Sequence, residues 1–123
     1  MNLDSIILFV QNIPALKPLY IDGLGLEVLE EHGSEWLLLK AGASNIGLHR
    51  IGEEYRKEEA DQPEGIKNTK LCFEIETDIK QLREKLINMG TAMREIKTFD
   101  NYDFWLCDGE DAEGNVFQLK QRK

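Results

Sequence analysis

His49, Lys70, Cys72 and Glu74 are the residues of this 123-residue chain whose types and spacing invite chemistry. An imidazole accepts or donates a proton near neutral pH, so His49 is a candidate hydrogen-bonding partner or base. Lys70 offers a cation to a carboxylate or phosphate, or an ion pair to Glu74 two residues along; the ion pair is the plainer expectation. His49 with Glu74 would supply two metal ligands, too few for tight binding. Cys72 becomes a nucleophile only if Lys70 or His49 lowers its pKa, and in the middle of a strand it reads as packing. Trp36, Trp105, Tyr102 and Phe104 add aromatic surface, part of it core and part able to stack on a flat ligand. The acidic run from Glu53 to Asp61 lacks regular ligand spacing and reads as a solvated face.

The elements that must position these residues occur twice. Ser5 to Val10 is a short apolar, β-branched run and reads as a strand. Asn12 caps a helix carrying Ile13, Leu16, Leu19 and Tyr20, which Pro18 shortens or kinks before it stops near Gly23. Three apolar segments follow, Leu26 to Leu29, Trp36 to Leu39 and Ile46 to Leu48, separated by turn-prone stretches at 31–34 and 41–45. A charged connection over 51–67, a candidate lid or a solvated linker, ends the first unit. The pattern then restarts. Lys70 to Ile75 alternates as a half-buried strand, and Thr77 or Asp78 caps a helix with the stripe Ile79, Leu82, Leu86 and Met89. Gly90 terminates that helix. Segments Ala92 to Lys97, Tyr102 to Cys107 and Val116 to Lys120 complete the second unit. The reading is therefore α+β, with two βαβββ modules, 1–50 and 68–123, forming a curved mixed sheet around a cleft as one domain.

Composition narrows the functional classes. The chain is 41% hydrophobic and 31% charged, as expected for a globular fold, and its net charge of −8 disfavours nucleic acid and anionic membrane surfaces as partners. No leader or membrane span is expected, and two cysteines inside apolar runs read as buried free thiols of a cytoplasmic protein.

The repeat, with Phe9-Val10-Gln11-Asn12-Ile13, Leu19-Tyr20-Ile21-Asp22-Gly23-Leu24-Gly25-Leu26-Glu27-Val28 and Asp111-Ala112-Glu113-Gly114-Asn115-Val116-Phe117-Gln118-Leu119, resembles the vicinal-oxygen-chelate superfamily of glyoxalases, extradiol dioxygenases and bleomycin-resistance proteins. The resemblance implies a cleft between the modules, a homodimer, and a divalent metal held by His and Glu from four strand positions. Those positions fall here on Ser5, Gly47, Lys70 and Gln118. Glycine has no side chain, serine and glutamine offer weak neutral oxygens, and a protonated lysine repels a cation, so no metal and no other cofactor is expected.

Strand alternation extends the candidate ligand-binding set to Ser5, Ile7, Phe9, Gly47, His49, Lys70, Cys72, Glu74 and Gln118. Ile6, Leu8 and Val10 would then pack beneath the helix, as would Leu71, Phe73 and Ile75 in the second module. The expected function is metal-independent binding of a small organic molecule, in the manner of the resistance proteins that sequester a drug. The alternative is an enzyme of the superfamily with a rearranged metal site, or one using His49 or Lys70 for acid–base chemistry.

Overall fold

The computed structural model describes residues 1–55 and 68–123, and the chain divides into two compact units, Met1–Gly65 and Ile66–Lys123. In the first, β1 (Ser5–Val10) leads through α1 (Ile13–Lys17) to β2 (Glu27–His32), β3 (Trp36–Ala41) and β4 (Ser44–Arg50). The sheet order is β1-β4-β3-β2, with β1 parallel to β4 and the other neighbours antiparallel. The second unit repeats this. Its β5 (Lys70–Ile75), α2 (Ile79–Asn88), β6 (Ala92–Met93), β7 (Phe104–Glu110) and β8 (Val116–Arg122) assemble as β5-β8-β7-β6, with β5 parallel to β8.

A parallel pair cannot be closed by a hairpin, so a helical crossover must join β1 to the rest of its sheet. Asn12 starts it by accepting the Ala15 backbone N–H at 3.2 Å. Pro18 has no N–H to continue the α-helical ladder, and the chain widens into a π-helical turn over Pro18–Gly23, closed by the Leu24 N–H on the Leu19 carbonyl at 2.8 Å. The expected kink is thus a change of helical pitch. Val10, Ile13, Leu16, Tyr20, Leu37, Leu39 and Leu48 are fully buried in this unit. Ile6, expected beneath the helix, is instead 38% exposed.

In the second unit Asp78 caps α2 by accepting the Lys80 N–H, and Gly90 at φ +90° ends it. Thr91 N–H bonds to the Leu86 carbonyl and Gly90 N–H to that of Ile87, the paired closure that a left-handed residue after the helix allows. Ile79 and Leu86 are buried, and α2 packs on β6, β7 and β8. Met89, at the helix cap past the last full turn, is 39% exposed and leaves the expected stripe.

Several strands exceed their expected lengths. Glu31 and His32 continue β2, and Ala41, Ser44 and Asn45 stay in strands, leaving Gly42-Ala43 as the hairpin loop. The segment Ala92 to Lys97 is shorter as a strand than expected. Beyond Met93 it keeps one bridge, Lys97 to Leu106, because the Arg94 carbonyl instead accepts from Arg83 Nε at 2.8 Å and Cys107 Sγ at 3.3 Å. Of the charged connection, Glu53–Tyr55 forms a 3₁₀ turn, and 56–67 lie outside the described residues.

The β7–β8 turn accounts for one motif of the sequence. Asp111, 7% exposed, takes the Glu113 and Asn115 backbone N–H groups at 2.9 Å each and the Asn115 amide at 2.8 Å. Its carboxylate thus replaces solvent for a turn that strand pairing cannot satisfy. Asp111→Ala orphans these donors and is expected to cost about 2 kcal/mol, read as a lowered urea midpoint at unchanged m-value.

Candidate functional site

In the first module, β1 and β4 run in register with Ile7 beside Gly47 and Phe9 beside His49. Residues that face each other in a ladder share a face, so Ser5, Ile7, Phe9, Gly47 and His49 lie on one side and Val10, Ile46 and Leu48 on the buried side. Ile7 and Phe9 are 49% and 68% exposed. Trp36 of β3 stands opposite His49 and completes an aromatic row: His49 is 5.5 Å from Phe9 and 6.0 Å from Trp36 between ring centroids.

Gly47 is where this row is built. A Cβ at position 47 would lie 2.5 Å from Trp36 Cη2 and 3.3 Å from Ile7 Cγ1, so the indole crosses the strand at a point where only glycine leaves room. Trp36 Nε1 donates to Glu30 Oε2 at 2.8 Å, which fixes the ring. His49 Nδ1 lies 2.8 Å from the Arg50 carbonyl. A carbonyl only accepts, so Nδ1 is the donor in this contact. Ser5 donates to Asp4.

In the second module, Lys70, Cys72, Glu74 and Gln118 share one face, while Leu71, Phe117 and Leu119 lie on the other. Lys70 does not pair with Glu74. Its ammonium reaches over β8 to Asp108 Oδ2 on β7 at 3.0 Å. Gln118 donates to Asp108 Oδ1 at 2.9 Å, and the Cys72 thiol lies 3.6 Å from Gln118 Oε1. Burial raises the cost of charge on Asp108, yet the hydrogen bonds from Gln118 and Lys70 and the charges of Lys70 and Lys97 outweigh it. The carboxyl is held below its ordinary value. Cys72 is exposed, correcting the expectation of a buried thiol; Cys107 is buried, and burial pushes its pKa up. Glu74 lines a separate depression of about 420 Å³ with Ile75, Glu76, Gln121 and Arg122.

Two partners escape a reading of the sequence. Glu30 reaches Trp36 because a bulge between Val28 and Glu30 shifts it onto the face of Leu38. Asp108 falls beyond Cys107, where the expected strand ends. Strand-length extension was the missing signal.

The four positions that would hold a metal do not fit one. Gly47 is overlain by an indole, and Lys70 places an ammonium among the remaining polar groups. Among the described residues no group of three or more His, Cys, Asp or Glu side chains is placed to hold an ion.

Two βαβββ modules of this strand order make the glyoxalase/bleomycin-resistance-like α+β fold. No family model and no curated protein sequence matches the chain. Solved structures match over nearly its whole length. A glyoxalase family protein from Enterococcus faecalis is 21% identical with TM-score 0.72, over 97% of this chain and 96% of that one. Lactoylglutathione lyase from Agrobacterium tumefaciens is 16% identical with TM-score 0.74, over 98% and 92%. An antibiotic-binding protein from a Streptomyces species is 17% identical with TM-score 0.74, over 100% and 97%. No helix among the described residues is long and apolar enough to cross a membrane.

Two outcomes follow from this geometry. Gly47→Ala must displace Trp36 from Glu30, and is expected to lower stability by about 1 kcal/mol and shift Trp36 emission. Asp108→Asn removes a carboxylate whose folded pKa is depressed, so the stability it adds is present above the unfolded pKa of about 3.9 and is lost as pH falls through the lower folded value. Because the Lys70 side chain is 45% exposed and screened by solvent, urea titration should show a deficit of about 1 kcal/mol at neutral pH. That deficit should close in strong acid.

Proposed function

We propose that this chain binds a small organic molecule without a metal, on the exposed sheet faces of its modules. Ile7, Phe9, His49 and Trp36 form the apolar and aromatic wall on the first, with Ser5 and Gly47 among them. Lys70, Cys72, Glu74 and Gln118 form the polar face of the second. The observation that carries this reading is Gly47 beneath Trp36: at a position where a metal enzyme of this fold needs a ligand side chain, the strand carries no Cβ and an aromatic ring lies over it. A half-buried indole and an imidazole, each held by a hydrogen bond, beside the exposed Phe9 ring suit a flat organic ligand. Fold likeness to an antibiotic-binding protein agrees with sequestration. The acid–base alternative has less support, since Lys70 is engaged by Asp108 and serves better to hold that carboxylate than to move a proton. The family resemblance also supports pairing into a homodimer in the cytoplasm; sedimentation velocity yielding the mass of a single chain would remove the dimer.

Trp105→Phe leaves Trp36 as the sole indole and gives a direct test. Titration with polycyclic aromatic compounds is expected to change Trp36 emission and raise the melting temperature, with about 2.7 kcal/mol of added stability at a hundredfold excess over Kd. Phe9→Ala should weaken binding severalfold. Zinc, nickel and iron(II) should do neither. Stoichiometric divalent metal retained through dialysis, or silence of Trp36 toward every organic probe, defeats the reading.

A further inference from the structure

The second module carries a cluster that none of the residues above explains. Phe104 opens β7 directly opposite Arg122 of β8, with Lys120 one step away on the same face. The Lys120 ammonium lies 4.0 Å from the Phe104 ring centroid and the Arg122 guanidinium carbon 4.7 Å from it. Tyr102 stands 5.7 Å from Phe104, and Phe99 6.0 Å from Tyr102, so three rings form a row that ends in a 58% exposed phenyl group. Lys97, opposite Leu106, faces the same way.

Local hydrogen bonds fix the backbone that carries the row. Tyr102 N–H bonds to the Phe99 carbonyl at 3.2 Å, Asn101 takes a left-handed φ of 60°, and the Thr98 hydroxyl donates to the Phe104 carbonyl at 2.7 Å. The charges are less well matched. Arg122 has Asp103 at a long 3.9 Å, and the charge of Lys97 is already engaged in holding Asp108 ionised, while Lys120 makes no salt bridge among the described residues and lies over the Phe104 ring. Glu74 neighbours Lys120 on β5 and makes no ion pair with it; the ammonium lies over the ring instead. On a chain of net charge −8, two cations, Lys120 and Arg122, therefore meet over one ring of an aromatic row. Cation–π contact orients such cations without neutralising them, and their mutual repulsion is relieved by an anion.

We infer that this cluster recognises the acidic group of a planar aromatic ligand: Lys120 and Arg122 take a carboxylate while Phe99 and Tyr102 flank its ring. The inference rests on the small-molecule reading above and assigns the ligand class, an aromatic carboxylic acid. A purely structural role for the same contacts would set stability and leave discrimination between ligands unchanged.

The test compares 2-naphthoate with its neutral isostere 2-naphthamide by isothermal titration of the full chain at low and high salt. Naphthoate is expected to bind about tenfold more tightly at low salt, with the advantage shrinking as salt screens the cations. Lys120→Met, which keeps the alkyl stem on Phe104, combined with Arg122→Gln should bring the two affinities together. Phe99→Ala should weaken both equally, and Lys80→Gln on α2 should change neither. Equal binding of acid and amide by the unaltered chain, or a preference that survives Lys120→Met with Arg122→Gln, overturns the ligand class and leaves small-molecule binding standing. Failure of both compounds to bind at millimolar concentration, together with silence of Trp36, overturns both readings.

Discussion

The parallel pairing of the first strand of each module with its last is the constraint on which the rest depends. It forces a helical crossover and places β4 and β8 inside their sheets. It also sets the parity of every neighbouring side chain. With Ile7 beside Gly47 and Cys72 beside Gln118, one face of each sheet packs beneath its helix and the other is left to polar, aromatic and charged groups. A slip of one residue would place Lys70 and Glu74 under α2 and expose Leu71 and Phe73, which no balance of apolar burial would tolerate.

The same parity explains how much was legible. Alternation in Lys70-Leu71-Cys72-Phe73-Glu74-Ile75 and the cap, stripe and glycine of α2 carry both topology and orientation, because each depends on residues close in sequence. The module order followed from the repetition of that pattern. Strand ends were harder, since the hairpin at Gly42-Ala43 is tightened by pairing between strands, and small polar residues alone mark only a turn. Partners were harder still. The Lys70 and Asp108 pair spans the full width of an intervening strand, and the Trp36 and Glu30 pair depends on a bulge. Both are choices made by three-dimensional register.

The two modules repeat a backbone and diverge in what they put on it. At equivalent last-strand positions the first has Gly47 under an indole and the second has Gln118 in a hydrogen-bonded row with Asp108 and Lys70. The first face is built by shape, where a single methyl group would collide. The second is built by charge, where the groups can be exchanged only with their partners. One duplicated scaffold thus supports two kinds of surface without any change in strand order.

The edge strand β2 has a consequence of its own. All six of its residues are exposed, including Val28 and Leu29, and one side of its backbone has no neighbouring strand in its sheet. Such a strand is a template for unwanted growth of the sheet between molecules. Glu27, Glu30 and Glu31 line it, and the irregularity after Val28 interrupts its ladder. The acidity of this chain is therefore partly a guard: neutralising those three carboxylates would leave a short apolar edge open to fibrous association, while the buried core stayed as it is.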